Sequence, residues 1–147
     1  MTDKFTPQIS PQISPQISTR PRLPAYKAGC ITGIIPALLG PSGTKEIPSW
    51  MPNCVQGARQ VVLLVIDGLG WHQLQNNLVN CPTLSSMQGS SITTVAPTTT
   101  VSALTSITTG LAPAEHGLVG YRIDMGGRVM QMLKWGDEKG DLRNMYS

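Results

Sequence analysis

Asp67 is the most isolated charged side chain in the sequence. Counting histidine as neutral, it is the only charged residue between positions 60 and 114, and it directly follows the aliphatic run VVLLVI at residues 61–66. An ionised carboxylate near an apolar interior is costly without a partner, so Asp67 must meet water, a helix N-terminus, a distant cation or a metal ion. The plainer alternative is that Asp67 caps a helix beginning near Trp71 or fixes the Asp-Gly turn.

The second candidate is a hydroxyl-rich segment, APTTTVSALTSITTG at residues 96–110. Its loop opens directly into a predicted helix, so the backbone N–H groups of Val101 and Ser102 are expected to be free at the helix start. The helix dipole favours an anion at that point, and a threonine hydroxyl there would face a bound phosphate. The alternative is an ordinary threonine N-cap.

Other residues of types that serve catalysis carry weaker signals. The three cysteines form no C-x-x-C pair, so they predict neither a zinc knuckle nor a disulfide framework, and small buried thiols are expected. His72 is interpreted as a surface or packing residue. Acidic side chains nearer the C-terminus are expected to be solvated; they are Asp124, Asp137 and Asp141.

Composition narrows the class of protein. With 147 residues, 40% of them hydrophobic, the chain is long enough for one domain with a core. The net charge of +3 is modest and forms no basic face with interleaved aromatics, so nucleic-acid binding is not indicated. The longest apolar runs fall short of the roughly 18 residues that span a bilayer, and the N-terminus lacks a secretory pattern. A cytoplasmic protein without a membrane partner is predicted; the oligomeric state stays open.

The chain divides into four stretches by composition. Residues 1–25 contain three PQIS repeats and a Pro-rich sequence, which predicts an extended, disordered leader. Residues 26–59 mix glycine and proline with short apolar runs, and an irregular connecting segment is expected. Residues 60–135 carry the periodic patterns of a folded region. Residues 136–147 are polar and are expected to form a tail.

Within residues 60–135 strands and helices are predicted to alternate. The run 61–66 predicts a central strand buried on both faces, followed by a helix over 71–78. A short helix over 82–87, a strand over 91–95, a loop over 96–99 and a helix over 101–109 closed by Gly110 follow. This order predicts an α/β fold with a sheet flanked by helices.

A β-hairpin is predicted near the C-terminus. Residues 118–125 and 128–135 flank Gly126-Gly127, which is a typical two-residue hairpin loop. That loop places Ile123 opposite Met130 and Tyr121 opposite Met132 on one apolar face. It places Arg122 opposite Gln131 on a polar face.

Together, VVLLVIDGLG at 61–70 and APTTTVSALTSITTGLAPAEHGLVGYR at 96–122 resemble the alkaline phosphatase superfamily, and within it the type I phosphodiesterase/nucleotide pyrophosphatase branch. The shared pattern is a strand ending in Asp-Gly, a Pro-Thr-x-Thr that opens a helix, and Thr-Gly-Leu-x-Pro-x-x-His-Gly. The resemblance covers about residues 60–135 and implies part of an alkaline-phosphatase-like sandwich, with a central, mainly parallel sheet between helices.

By this resemblance Asp67 is a metal ligand, and Thr100 is both the nucleophile and a metal ligand. Two divalent ions are implied, with zinc the likelier because such sites mix carboxylate and imidazole ligands. The reaction implied is hydrolysis of a small phosphorylated substrate, a diester, nucleotide pyrophosphate or monoester, through a phosphothreonine. His116 belongs to a turn near the site and is not one of the family's ligands.

The sequence departs from the family pattern in two ways. The branch has an asparagine three residues after the nucleophile, where this chain has Ala103, so a preference for diesters does not carry over. The family's later Asp and His ligands have no match before Ser147. We therefore expect an N-terminal piece of a longer enzyme with negligible turnover alone. The alternatives are a non-catalytic relic or an interaction protein using the PQIS repeats. Thr100→Ala in a full-length version would distinguish the enzyme from the relic, because the enzyme would lose turnover and the relic would lose nothing.

Overall fold

The computed structural model describes residues 21–40 and 47–145. The PQIS repeats lie outside these residues, so the prediction of a disordered leader is not addressed for residues 1–20. The described elements, in chain order, are α1 (Ile34–Leu39), α2 (Trp71–Asn76), α3 (Pro82–Ser85), α4 (Thr100–Thr109), α5 (Pro113–His116), β1 (Arg122–Asp124), β2 (Val129–Gln131), β3 (Gly136–Asp137) and β4 (Gly140–Asp141). The predicted helices over 71–78 and 82–87 correspond to α2 and α3.

Helix α4 is the longest of these elements and confirms the prediction for residues 101–109. Its N-cap is Thr99, whose hydroxyl accepts the N–H of Ser102. Its C-terminal end is Gly110 in the left-handed conformation, with φ of 75°, and the Gly110 N–H donates to the Ser106 carbonyl. Glycine takes this conformation without the steric penalty that a side chain adds. The helix buries Val101 and Ile107.

The predicted hairpin is confirmed in its register. Arg122 pairs with Gln131 and Ile123 with Met130, and the Met132 N–H donates to the Tyr121 carbonyl at 2.9 Å. The two loop glycines have φ of 72° and 86°, as the mirror-image turns of two-residue hairpins require. On the predicted apolar face Met130 and Met132 are buried and Ile123 is half-buried, whereas Tyr121 is exposed.

The hairpin continues into an antiparallel sheet of order β1-β2-β3-β4. Its buried side packs against α4, and the core cluster consists of Val101, Met130, Met132 and Leu142. Arg128 and Asp137 form an ion pair with a 2.8 Å hydrogen bond from Nε. The Asp137 side chain is only 8% exposed, so its expected solvated position is wrong. The cause is Arg128, which lies nine residues earlier and across the sheet.

The predicted buried central strand at residues 61–66 is not formed within the described residues. The segment pairs with no strand among the described residues, and the exposed fractions of its side chains range from 41% at Leu63 to 86% at Val62. A strand is buried on both faces only when neighbouring strands and helices cover it, and the described residues supply neither. The described sheet is antiparallel, so the fold is α/β but the predicted mainly parallel sheet is not seen.

The predicted strand at 91–95 is reduced to one parallel bridge between Cys30 and Thr93. The Thr93 N–H donates to the Gly29 carbonyl at 2.8 Å, and the Ile31 N–H donates to the Thr93 carbonyl at 3.0 Å. This bridge fixes the segment before α1, and α1 in turn packs on α4. Among the described residues, no helix has the length and apolar character needed to cross a bilayer.

Candidate functional site

Asp67 lies on an exposed turn at the end of residues 61–66. The turn is closed by Gly68 at φ of 81° and by a hydrogen bond from the Leu69 N–H to the Ile66 carbonyl. The N-cap of α2 is Gly70, and no side chain caps that helix. The alternative in which Asp67 caps the helix near Trp71 is therefore wrong, and the carboxylate is free to contact another segment.

The partner of Asp67 is Thr100. The Thr100 hydroxyl donates a hydrogen bond to Asp67 Oδ2 at 2.7 Å, joining two residues 33 positions apart. Thr100 is the first residue of α4, and it is half-buried while Asp67 is exposed. The two residues that the sequence marks as chemically unusual thus lie in direct contact.

Thr99, and not Thr100, is the helix cap. Its hydroxyl accepts the Ser102 N–H at 3.3 Å, so the N-cap interpretation of the threonine run holds for Thr99. The Ser102 N–H is therefore occupied, contrary to expectation, and Val101 retains the free N–H predicted for it, since the second residue of a helix has no acceptor within it. Because the cap is already provided, the Thr100 hydroxyl is left for another role.

The electrostatic setting favours a bound anion next to Thr100. The N-terminal end of α4 carries the positive end of the helix dipole, and the first turn of α4 contains no acidic residue. The nearest acidic group in contact is Asp67 itself. An anion bound here would meet helix N–H groups on one side and would need a cation between it and the carboxylate on the other.

The donor set fits part of a divalent metal site. One carboxylate and one hydroxyl converge within hydrogen-bond distance, and both are oxygen ligands that divalent cations accept. Within residues 21–40 and 47–145, no group of three or more His, Cys, Asp or Glu side chains lies close enough to bind a metal ion. Asp67 and Thr100 could therefore supply two ligands, and a metal ion bound here would need further ligands from groups beyond this pair.

His116 lies in α5, and both of its ring nitrogens are occupied. Nδ1 accepts the Leu118 N–H at 3.0 Å, and Nε2 lies 3.0 Å from the Ser106 hydroxyl. Both ring nitrogens of His116 thus have partners within the protein. No signal in the sequence marks Ser106, which is one of four hydroxyl residues between positions 105 and 109.

The remaining candidates have other partners or none near the site. His72 is exposed on α2. Asp124 accepts the Gly127 N–H at 2.7 Å and so stabilises the hairpin turn. Asp141 pairs with Arg143, which lowers the Asp141 pKa to about 2, chiefly through the hydrogen bonds between the two side chains.

Comparison with known proteins gives one match. The family model "Type I phosphodiesterase / nucleotide pyrophosphatase" matches residues 61–142, which is more than half of the chain. The matched range contains Asp67, Thr100 and His116. No curated protein and no solved structure matches the chain.

Proposed function

We propose, because this chain belongs to the type I phosphodiesterase/nucleotide pyrophosphatase family, that it acts in phosphate-ester hydrolysis through a phosphothreonine formed at Thr100. Membership supports phosphoric ester hydrolysis in general terms. The covalent route rests on one observation, the 2.7 Å hydrogen bond from the Thr100 hydroxyl to Asp67.

The proposed first step is attack of Thr100 Oγ1 on phosphorus. A threonine hydroxyl is a weak nucleophile at neutral pH and needs activation. Its proton is directed at the Asp67 carboxylate, which orients the oxygen lone pairs away from Asp67 and toward an incoming phosphate. The Oγ1–P bond forms as the bond from phosphorus to the leaving oxygen breaks; the hydroxyl proton passes to Asp67 and from there to water, and the leaving alcohol or phosphate takes up a proton from water. Water then cleaves the Oγ1–P bond and restores the hydroxyl.

The start of α4 is the proposed anion-binding half of the site. Thr100 and Val101 are the first two residues of the helix, where backbone N–H groups lack acceptors within the helix. A phosphoryl oxygen there would be stabilised as negative charge develops. Ala103 contributes no polar group, so these N–H groups are the helix's own donors to phosphate, and the choice between monoester and diester is left to other contacts.

Two divalent metal ions, proposed to be Zn²⁺, would complete the site, with Asp67 and Thr100 among their ligands. A divalent ion bound to both would lower the pKa of the Thr100 hydroxyl and offset the repulsion between a phosphate and Asp67. The carboxylate and the hydroxyl of this chain supply the orientation, because each already contacts the other.

We also propose that residues 61–66 occupy a position in a mainly parallel, alkaline-phosphatase-like sheet when strands pair with them. Their side chains are uncharged and their backbone is free of ladder hydrogen bonds within the described residues. Asp67 would then lie at the carboxyl end of a strand, which is where open α/β sheets bind ligands.

The test is transfer of one phosphoryl group to the chain. The 147-residue protein with Zn²⁺ would be incubated with p-nitrophenyl phosphate and, separately, with bis-p-nitrophenyl phosphate. The phosphoryl group transferred to the protein serves as the label, and mass spectrometry of peptides would identify the residue that carries it. Single transfer is the readout because it needs no repeated turnover. We expect the label on Thr100, none in Thr100→Ala, and undiminished label in Thr108→Ala, which removes an exposed hydroxyl from the other end of α4. Label that persists in Thr100→Ala, or its absence from the unaltered protein with both substrates, would refute the phosphothreonine route.

A further inference from the structure

We propose that His116 is the positioning residue that sets the Thr100 hydroxyl beside Asp67. It does so as a neutral imidazole that joins the loop after α5 (residues 117–121) to the buried Ser106 of α4, and the same loop binds the buried Ser102 through the Leu118 carbonyl. The importance of that position for chemistry rests on the function proposed above, whereas the structural link stands on contacts that can be measured separately.

The tautomer of His116 follows from its partners. The Leu118 N–H can only donate, so Nδ1, which accepts it at 3.0 Å, carries no proton. In the neutral ring the proton is then on Nε2, which donates to the Ser106 hydroxyl 3.0 Å away. Ser106 is fully buried, so its hydroxyl has no water to replace the ring. His116 is therefore held at both nitrogens, one by the loop and the other by the helix.

Leu118 transmits the position of the ring to the start of α4. Its N–H is bound to His116, and its carbonyl accepts the Ser102 hydroxyl at 2.9 Å. Ser102 is also fully buried, and its hydroxyl lies 2.9 Å from the Thr99 hydroxyl. The Val119 carbonyl provides a second connection, because it accepts the Thr99 hydroxyl at 3.2 Å. The loop thus contacts both residues that flank the first turn.

Thr100 lies between these fixed points. The cap residue Thr99 precedes it, Ser102 follows two residues later, and both are bound to the same loop. The Thr100 hydroxyl donates its hydrogen bond to Asp67 and not to the loop. A shift of the loop would move the first turn of α4 and, with it, the Thr100 oxygen. A misplacement of ~1 Å at a reacting atom costs on the order of 100-fold in rate.

Three variants test the two hydrogen bonds of the His116 imidazole separately. His116→Asn keeps an acceptor near the Nδ1 position and loses the group that reaches Ser106. Ser106→Ala removes the other end and leaves the ring bound to Leu118. His116→Ala removes both. If positioning passes through Leu118, His116→Ala should lower phosphoryl transfer to Thr100 by about 100-fold, while His116→Asn and Ser106→Ala should each retain at least about a tenth of the unaltered rate.

Nuclear magnetic resonance tests the link without any catalysis. In the ¹⁵N-labelled 147-residue protein at neutral pH, the His116 ring should show an unprotonated Nδ1 and a protonated Nε2. The amide signals of Thr100 and Val101 should shift in His116→Ala and return toward their original positions in His116→Asn. A protonated Nδ1, or unchanged Thr100 and Val101 signals in folded His116→Ala, would overturn the proposal.

The rate of phosphoryl transfer and the nuclear magnetic resonance signals distinguish failure of the proposed function from failure of the positioning role. If the unaltered protein takes up no phosphoryl group while the ring tautomer and the amide shifts follow expectation, the proposed function is wrong and the positioning role stands. If Thr100 is phosphorylated at the same rate in His116→Ala, the function stands and the positioning role is wrong. Should His116→Ala not fold, His116→Leu takes its place, because leucine fills much of the same space without an acceptor for the Leu118 N–H, and the same shift of the Thr100 signal and the same loss of rate are expected of it.

Discussion

Thr99 and Thr100 are adjacent, but their hydroxyls have separate partners. The Thr99 hydroxyl accepts the Ser102 N–H and caps α4, whereas the Thr100 hydroxyl donates to Asp67. One threonine therefore stabilises the helix and the other is directed at the candidate site. The pair offers a comparison in which nearly the same atoms are removed from neighbouring positions.

Thr99→Ala should lower the free energy of unfolding by ~1 kcal/mol, as loss of a side-chain cap does. Thr100→Ala should lower it by less, because its lost hydrogen bond is to an exposed carboxylate, and the helix cap stays intact. Urea denaturation of both variants measures the difference. A larger loss in Thr100→Ala than in Thr99→Ala would show that the capping assignment is wrong.

Asp67→Asn should reduce phosphoryl transfer to Thr100 by about 100-fold or more, because the amide has no negative charge to attract the hydroxyl proton or a divalent ion. The variant should also weaken Zn²⁺ binding, measured by isothermal titration calorimetry. Glu138→Gln is the matched control, since it removes one negative charge from an exposed position outside the site. Equal effects of the two variants would indicate that net charge, and not the Asp67 contact, is responsible.

Unfolding in acid should depend on Asp137. The hydrogen bond and charge of Arg128 hold the pKa of Asp137 below its ordinary value of 3.8 in the folded state. A carboxyl whose pKa is lowered on folding adds stability that is present in full above 3.8 and is lost as the pH falls through the folded-state value. Asp137→Asn should therefore flatten the decline of unfolding free energy below pH 3.8, measured by urea denaturation at a series of pH values.

Asp141→Asn tests whether any acidic residue of this sheet would give the same result. The pKa of Asp141 is lowered to about 2 by Arg143, but both side chains are largely exposed. Exposed ion pairs contribute little to stability. Asp141→Asn should therefore change the decline of the unfolding free energy at low pH less than Asp137→Asn does. The reverse order would contradict the structural role assigned to the Arg128–Asp137 pair.

Gly110→Ala should be more destabilising than Gly117→Ala. Both glycines have φ of 75°, so alanine at either position pays the same left-handed penalty, about 1–2 kcal/mol. A β-carbon at Gly110 would also lie 2.7 Å from Pro36 Cγ, whereas one at Gly117 would meet no atom within 4 Å. The difference in thermal or urea stability between the two variants measures the cost of the contact with Pro36 of α1. Equal losses of stability would show that Pro36 moves aside without cost.

Local patterns in the sequence predict the parts of the fold that local interactions stabilise. The span of α4 follows from its cap and from Gly110, and the register of Ile123 against Met130 follows from the Gly126-Gly127 loop. The contact between Asp67 and Thr100 does not follow from a local pattern. An isolated carboxylate and a hydroxyl-rich helix start are each unusual, but neither indicates that the two lie together. The family resemblance predicted that they act together.

Contacts between distant residues limit what the sequence can predict. The apolar run at 61–66 predicts burial, but burial requires covering layers that are not among the described residues. The ion pair between Arg128 and Asp137 depends on a turn between β2 and β3 that has no strong sequence signal. Likewise, nothing in the pattern connects His116 with Ser106, which lie on separate helices.

The uncovered stretch at residues 61–66 has a consequence for how tightly the reactive pair is held. Asp67 follows a segment whose backbone makes no strand-ladder hydrogen bonds among the described residues, and the hydrogen bond with Thr100 joins its side chain to α4. Thr100, by contrast, is the first residue of α4, which is anchored by the buried side chains of Val101 and Ile107. A polypeptide that pairs with the backbone of residues 61–66 would restrict the motion of the Asp67 carboxylate and so stabilise its contact with Thr100.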